Sequence, residues 1–457
     1  MTKCMKQYKE YKDSGTLSVG AIPSDWKILP IKYVLEQSAD GIKIGPFGSS
    51  LTGKVSTEYS VKVYGQWNVI GKDFTAGKNY VSEETYQQLN SYWIHPNDIL
   101  ISMMGTIGKC AIIPENVPKG IMDSHIVKVR LDKATIMPKY FYYVYDKDGS
   151  NVIMSQIQRD RRGSIMDGLN STLIKNFIIP LPSLGEQQNI VSYLDYKVGQ
   201  IDAAINEKEQ MLEDLKAYRS AIISEAVTKG LDKNVEMKDS GIEWCGKIPK
   251  HWKINKLKNI SKVSTGTTPS TSIERYWNSP TENWYTPSDF NDDDIYLTSS
   301  SRKVTIEAFN DIACKVFKKG VVLVVGIGAT LGKVGISKDI CSANQQINAI
   351  EFDDRILPVF GAYYLSSLKD VMKSVANSAT LAIMNQSITG DLPLIYPSIE
   401  EQDSIITYLD DKTSMIKRSI DEILSQITDL KAYKSSIITE AVTGKVDLRD
   451  WEQNNNV

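Results

Sequence analysis

The chain is written twice, and no other feature constrains its fold as much. Pro182-Ser183-Leu184-Gly185-Glu186-Gln187 returns as Pro397-Ser398-Ile399-Glu400-Glu401-Gln402. From there to Thr228 and Thr443 the two stretches align without a gap at an offset of 215. Leu215-Lys216-Ala217-Tyr218 recurs as Leu430-Lys431-Ala432-Tyr433, and Glu225-Ala226-Val227-Thr228 as Glu440-Ala441-Val442-Thr443. A second echo lies upstream at an offset of 226, where Asp13-Ser14-Gly15, Ile22-Pro23 and Trp26-Lys27 match Asp239-Ser240-Gly241, Ile248-Pro249 and Trp252-Lys253. Between the echoes the halves diverge heavily. A duplicated frame around dissimilar inserts suggests two readers held at a fixed spacing.

The downstream copies carry a helix period. The first seam runs Leu194, Val198, Ile201, Ile205, Leu212, Leu215, Ile222, Ala226; the second runs Leu409, Thr413, Ile416, Ile420, Ile423, Ile427, Leu430, Ile437, Ala441. Alternating steps of three and four over more than four heptads make a coiled-coil seam rather than the wider face of a globular helix. Lys208 interrupts the first seam where the second has Ile423. Each helix would be about 65 Å long, and the glutamates of its first turn suit the macrodipole. Two matching seams in one chain pack most economically on each other, and the domain that must fit between them makes the arrangement antiparallel.

The inserts read differently. Short β-type runs (Ile99-Leu100-Ile101, Val127-Lys128-Val129, Phe177-Ile178-Ile179, Val321 to Val325, Ile347 to Phe352) are punctuated by Gly, Pro, Asn and Ser. The expected fold is α+β: two mixed α/β domains joined by two long helices in an antiparallel coiled coil, with an internal pseudo-two-fold repeat. The expected boundaries are an N-terminal extension at 1–21, domains at 22–182 and 248–397, helical regions at 183–230 and 398–447, a linker at 231–247 and a disordered tail at 448–457. Hydrophobic content of 42% and charged content of 24% are those of an ordinary globular chain. The longest apolar run, Val321 to Val325 into Gly326-Ile327-Gly328-Ala329, is too short to span a bilayer, and Met1-Thr2-Lys3-Cys4 opens no signal-peptide pattern. Five cysteines, none paired at metal or redox spacing, point to reduced thiols in the cytoplasm. A net charge of −2 argues against a protein that coats nucleic acid non-specifically, though not against local DNA-binding patches.

Thr106-Ile107-Gly108-Lys109 and Thr330-Leu331-Gly332-Lys333 recur after apolar strands. A phosphate-binding loop would need glycines where Met103 and Ile327 stand, and Ser or Thr where Cys110 and Val334 stand. Two readings remain: a turn whose amides and lysine face a DNA phosphate, or a plain tight turn with a solvated lysine. Gln156 to Ser164, with Arg159, Arg161, Arg162 and Ser164, is the sharpest basic cluster and suits phosphate or guanine contact; a solvated helix end is the alternative. Its counterpart, from Asn377-Ser378-Ala379-Thr380 to Asn385-Gln386-Ser387, offers amides and hydroxyls but no arginine. Trp277, Trp284 and Tyr285 read as core rather than as base-stacking groups. Further candidate DNA contacts are Lys43, Ser49, Ser50 and Lys54 in the first insert, and Thr265, Thr267, Thr268, Arg275, Arg302, Gln345 and Gln346 in the second. Catalysis finds no foothold. His95, His125 and His251 are scattered, and neither Gly-x-Ser-x-Gly, Gly-x-Gly-x-x-Gly nor Pro-Pro occurs.

The ordered set of these elements resembles the specificity (S) subunit of type I restriction–modification systems along essentially the whole chain. The resemblance rests on Ile22-Pro23 with Trp26-Lys27, Ile248-Pro249 with Trp252-Lys253, and Pro-Ser-Leu/Ile-x-Glu-Gln opening each long helix. It rests also on Gly45-Pro46-Phe47-Gly48-Ser49 in the first insert, and on Thr265-Gly266-Thr267-Thr268-Pro269-Ser270 with Tyr276-Trp277, Trp284 and Asp289 in the second. It implies two target recognition domains, each reading half of a split double-stranded DNA site. The helices would then act as a ruler and as the docking surface for two methyltransferase subunits, through which motor–nuclease subunits join. S-adenosylmethionine and ATP would belong to those partners, with no cofactor on this chain. A reader for a modification-only methyltransferase and a protein-binding coiled-coil scaffold are the other readings.

Overall fold

The structure, a computed structural model, describes residues 6–38, 40–104, 106–146, 148–161, 169–376 and 382–451, with side chains at all of these but 159–161. The periodic stretches form two long helices, α1 (Leu184–Lys229) and α2 (Ile399–Val442). The chain divides into two compact units, Met1–Lys208 with Ser425–Val457, and Glu209–Leu424. Each unit therefore contains one insert and part of each helix.

In the first unit Lys434 Nζ lies 2.6 Å from Asp202 Oδ1, and Lys208 Nζ lies 2.6 Å from Gln426 Oε1. Residue numbers rise along one helix as they fall along the other, so the two are antiparallel. The polar interruption at Lys208 thus has an amide partner. In the second unit Ile223, Ala226 and Val227 of α1 share a core with Ile405 and Leu409 of α2. A Cβ at Gly230, just past α1, would stand 3.2 Å from Glu401 Oε1 near the start of α2. Leu194, Ile201, Ile205, Leu212, Leu409, Ile416, Ile420 and Ile427 are buried, while the equivalent Leu215 and Leu430 are half-buried.

The duplicated frame has a common chemistry in the two units. Trp26 and Trp252 are each 1% exposed, and their indole N–H groups donate to Glu186 Oε1 (3.2 Å) and Glu401 Oε1 (3.0 Å). Gln187 and Gln402 are fully buried. Their carbonyls accept from the N–H of Met137 and Leu357, both at 2.8 Å. Their amides donate to the carbonyls of Thr135 and Pro182 in one unit, and of Arg355 and Pro397 in the other. A buried amide is tolerated because its hydrogen-bonding capacity is met. Tyr143 and Tyr363 add a phenol–carboxylate bond to Asp195 (2.5 Å) and Asp410 (2.6 Å), and burial beside those carboxylates holds both phenols far above their usual range. The Glu-Gln pair therefore does more than complement the helix dipole. Glutamate grips the tryptophan of the entry strand, and glutamine ties the insert's backbone to the helix.

The first insert is built on strands β1 (Ile42–Ile44), β2 (Ile99–Ser102), β3 (Cys110–Ile112) and β4 (Ile126–Val129), in the order β1-β4-β2-β3 and antiparallel throughout. The second has β5 (Ser261–Thr265), β6 (Tyr296–Leu297), β7 (Val322–Val325), β8 (Val334–Ser337) and β9 (Ile347–Phe352), in the order β5-β9-β7-β8-β6. The first four places correspond, and β6 is an added parallel edge. Each insert also has a three-stranded sheet with one parallel pair, Val61–Tyr64 with Gly120–Met122 and Glu282–Tyr285 with Cys341–Ala343. Each closes with its entry strand paired to its exit strand: Lys27–Pro30 with Ile178–Leu181, and Lys253–Lys256 with Pro393–Tyr396. Two inserts that share little sequence thus share one topology. The central strands β2, β4, β7 and β8 are wholly buried, and many hydrophobic sequences satisfy the same burial pattern.

Candidate nucleic-acid interface

The two Thr-x-Gly-Lys elements are hairpin connections, from β2 to β3 and from β7 to β8. Gly108 and Gly332 both sit at φ 86°, the left-handed region that favours glycine. The lysines do not project freely. Lys109 Nζ pairs with Asp148 at 2.9 Å, and Lys333 Nζ donates to the Phe290 carbonyl at 3.0 Å. Thr106 and Thr330, at the tips, are half-buried.

Beside each hairpin a polar turn enters the last sheet strand. In the first insert Asp123 Oδ1 accepts the His125 N–H (2.8 Å), and the Asp123 N–H donates to the Tyr64 carbonyl. In the second, Asn344 Oδ1 accepts the Gln346 N–H (3.0 Å), and the Asn344 N–H donates to the Tyr285 carbonyl. Asp123-Ser124-His125 and Asn344-Gln345-Gln346 are therefore structural equivalents. Burial pushes the Asp123 carboxyl upward. A glycine closes over each turn. The N–H groups of Gly45 and Gly266 donate to Ile126 and Ile347, both at 3.0 Å. A Cβ at Gly45 would stand 1.6 Å from the Asp123 carbonyl oxygen, and one at Gly266 would stand 2.3 Å from that of Ala343. These contacts are backbone to backbone, so alanine must displace the turn. Gly45→Ala and Gly266→Ala are each expected to cost about 1–3 kcal/mol or more, and to weaken recognition of one half of the target only. Urea unfolding and duplex-binding titrations check this; a variant with unchanged stability would show that the close approach is not required.

Other candidates fall around these turns. Lys43 Nζ lies 5.4 Å from the Tyr92 ring centroid, and Ser49 and Ser50 sit in the short helix Gly48–Leu51, followed by exposed Lys54. In the second insert Thr268 donates to Gln345 Oε1 (2.5 Å), Thr265 to Asn348 Oδ1 (2.9 Å), and Gln386 Nε2 to Thr265 (2.9 Å); Thr267 is exposed. Arg302, Thr330 and Gln346 line one open cavity of about 500 Å3 with Thr286, Ser288 and Asn344. Arg275 instead pairs with Asp311 at 2.7 Å. Arg159 and Arg161 lie in the helix Asn151–Arg161 with their side chains undescribed. Arg162, Ser164 and Asn377 to Thr380 lie outside the described residues. Trp284 is 2% exposed and Trp277 packs on its cluster, as a core reading requires.

Sequence reasoning passed over Asp123, His125, Thr286, Ser288 and Asn344. The usable signal was a short polar run wedged between two apolar strands in both inserts. Lys333 belongs to a second site, where the acidic turn at Asp292 and Asp294 meets Lys369 (2.7 Å), Lys417 (2.8 Å) and the Arg219 guanidinium, pinning the insert to both helices of its unit. Among the described residues no group of three or more His, Cys, Asp or Glu gathers to hold a metal, and no helix is long and apolar enough to cross a membrane.

Two topologically equivalent inserts, each fastened to the start of the long helix that follows it by the same Trp-Glu-Gln contacts, define a two-domain protein with a duplicated frame. The family model for the type I restriction modification DNA specificity domain matches residues 42–214 and 249–428. The chain belongs to that family, the specificity subunits of type I restriction–modification systems, which recognise DNA targets. The MjaIX specificity subunit of Methanocaldococcus jannaschii is 32% identical over 209 residues, 44% of this chain and 47% of that one, so the match spans about half of that relative. The putative MjaX specificity subunit of the same organism is 23% identical over 98% of this chain and 100% of its own. The Escherichia coli EcoBI specificity subunit is 23% identical over 80% of this chain and 76% of its own. A chain from a solved structure concerning complex assembly and conformational transition of the type I R-M system shares the fold, with a TM-score of 0.70 at 16% identity, covering 93% of this chain and 99% of that one.

Proposed function

We propose that this chain is the non-catalytic reader of a type I restriction–modification complex. Residues 22–182 and 248–397 act as target recognition domains, each taking one half of a split, asymmetric DNA site. The paired helices set the unspecified gap and dock two adenine-N6 methyltransferase subunits, through which motor–nuclease subunits join. The observation that carries this reading is the contrast between frame and face. The two inserts share a strand order and the same attachment to the helices, yet present different groups at equivalent turns: Ser124 and His125 in one, Gln345 and Gln346 in the other. Such a pair suits two different half-sites read in one geometry.

The test is enzymatic. The purified chain alone is expected to transfer no methyl group, and activity is expected on adding the methyltransferase subunit with S-adenosylmethionine. The methylated adenines should then mark two short specified stretches around a gap. Methyl transfer by the pure chain at the rate of the complex would overturn the non-catalytic assignment. A protein-binding scaffold would show no sequence-dependent duplex binding at all.

A further inference from the structure

The cavity in the second insert contains a pre-oriented arginine. The Arg302 guanidinium carbon stands 5.1 Å from the Trp277 ring centroid and 5.0 Å from that of Trp284. The two rings are perpendicular, at 88° and 5.5 Å between centroids, so the guanidinium caps the notch between them. Trp284 is in turn fixed by its indole N–H, which donates to the Thr267 carbonyl at 3.0 Å. Among the described residues no carboxylate forms an ion pair with Arg302, and no hydrogen bond engages its guanidinium. Arg275 shows the contrast: its charge is taken up by Asp311. Arg302 is therefore an exposed cation whose rotamers are restricted by aromatic faces and whose N–H fork is unspent.

The neighbouring amide has a defined orientation. Asn344 Oδ1 accepts the Gln346 backbone N–H, which leaves Asn344 Nδ2 as a donor. That group donates to Gln346 Oε1 at 3.0 Å, so the amide's remaining group is the donor Nε2. Arg302 and Gln346 both line the cavity, and each carries side-chain N–H donors with no partner among the described residues. In the major groove guanine alone presents two adjacent acceptors, N7 and O6. Adenine places a donor beside its acceptor, cytosine presents a donor, and thymine offers one acceptor with a methyl group. We infer that Arg302 reads a guanine in the half-site taken by the second insert, its fork on N7 and O6, with Gln346 Nε2 donating alongside. The Trp277–Trp284 notch is the positioning element that holds the fork ready. This rests on the proposed role of residues 248–397 as a target recognition domain.

The test uses the full-length chain and a random duplex library, comparing wild type with Arg302→Ala and Arg302→Lys. Wild type is expected to enrich a split motif with a guanine in one half. Both variants are expected to lose preference at that position alone, and to bind the selected duplex roughly ten- to a hundred-fold more weakly. Lysine keeps the charge without the fork, so the salt slope of that variant should match wild type. Replacing the guanine by 7-deazaguanine removes N7; it should weaken wild type and have no further effect on Arg302→Ala. Because Arg302 is exposed, thermal unfolding of both variants should follow wild type. A split wild-type motif that Arg302→Ala leaves intact overturns the inference alone. So does an even loss across all sequences with the salt slope reduced by about one, the mark of a phosphate contact. A wild-type chain that enriches no sequence overturns the target-reading function itself.

Discussion

Inserting one heptad into each long helix, after Leu212 in α1 and after Ile423 in α2, is expected to lengthen the gap of the DNA site and leave both half-sites unchanged. Lys434 meets Asp202 and Lys208 meets Gln426, so the helices run antiparallel, and Leu212 and Ile423 lie at matching heights. Seven residues preserve the a/d register on both strands of the pair. They add about 10.5 Å of helix, close to the rise of three base pairs. If both domains approach the major groove from one side, half-site centres start roughly 10 bp apart, and the gap should grow by about three. Three base pairs also turn the duplex by roughly 100°, which a heptad does not match. Binding should therefore be weaker as well as wider. The same insertion in one helix alone puts the seam out of register and should abolish specific binding. Mapping methylated adenines in DNA exposed to the reconstituted complex reads the outcome. An unchanged gap, or a continuous or palindromic target in the parent, would sink the ruler.

The helices and their pairing were legible because a coiled-coil seam repeats within one element, so burial can be read from neighbours in sequence. The duplicated frame was legible as pattern, though its chemistry was not. Glu186 and Glu401 look like helix-dipole residues until Trp26 and Trp252, 160 and 149 residues away, are seen to donate to them. The reading face was the least legible part. Arg302 acquires meaning only once strand pairing brings Trp277 and Trp284 beneath it. Lys109 and Lys333 looked available only because Asp148 and the Phe290 carbonyl could not be placed against them. His125 passed for an isolated histidine because its equivalence to Gln346 lies in the turn and not in residue type.

Trp252→Ala is expected to cost about 3–5 kcal/mol, the range for truncating a large buried aromatic, and to do so mainly within Glu209–Leu424. Trp252 is 1% exposed and shares a core with Ile223, Ala226 and Val227 of α1 and Ile405 and Leu409 of α2. Removing it opens a cavity where insert and helices meet, and strips Glu401 Oε1 of its 3.0 Å donor. Trp26→Ala should do the same to the first unit, where Trp26 donates to Glu186. Glu401→Ala separates the polar part of the effect from packing: it leaves the indole in place but its buried N–H unpaired, a loss of about 1–3 kcal/mol. A chain of two units need not unfold in one step, so a single midpoint is the wrong readout. Hydrogen exchange resolved along the sequence is the right one. Protection should fall across residues 209–424 in Trp252→Ala and across 1–208 with 425–457 in Trp26→Ala. Because each tryptophan fastens one insert, each variant should also blur only its own half-site. Equal loss of protection throughout the chain in both variants would show that the frame acts as one cooperative body, and that the two readers are not held independently.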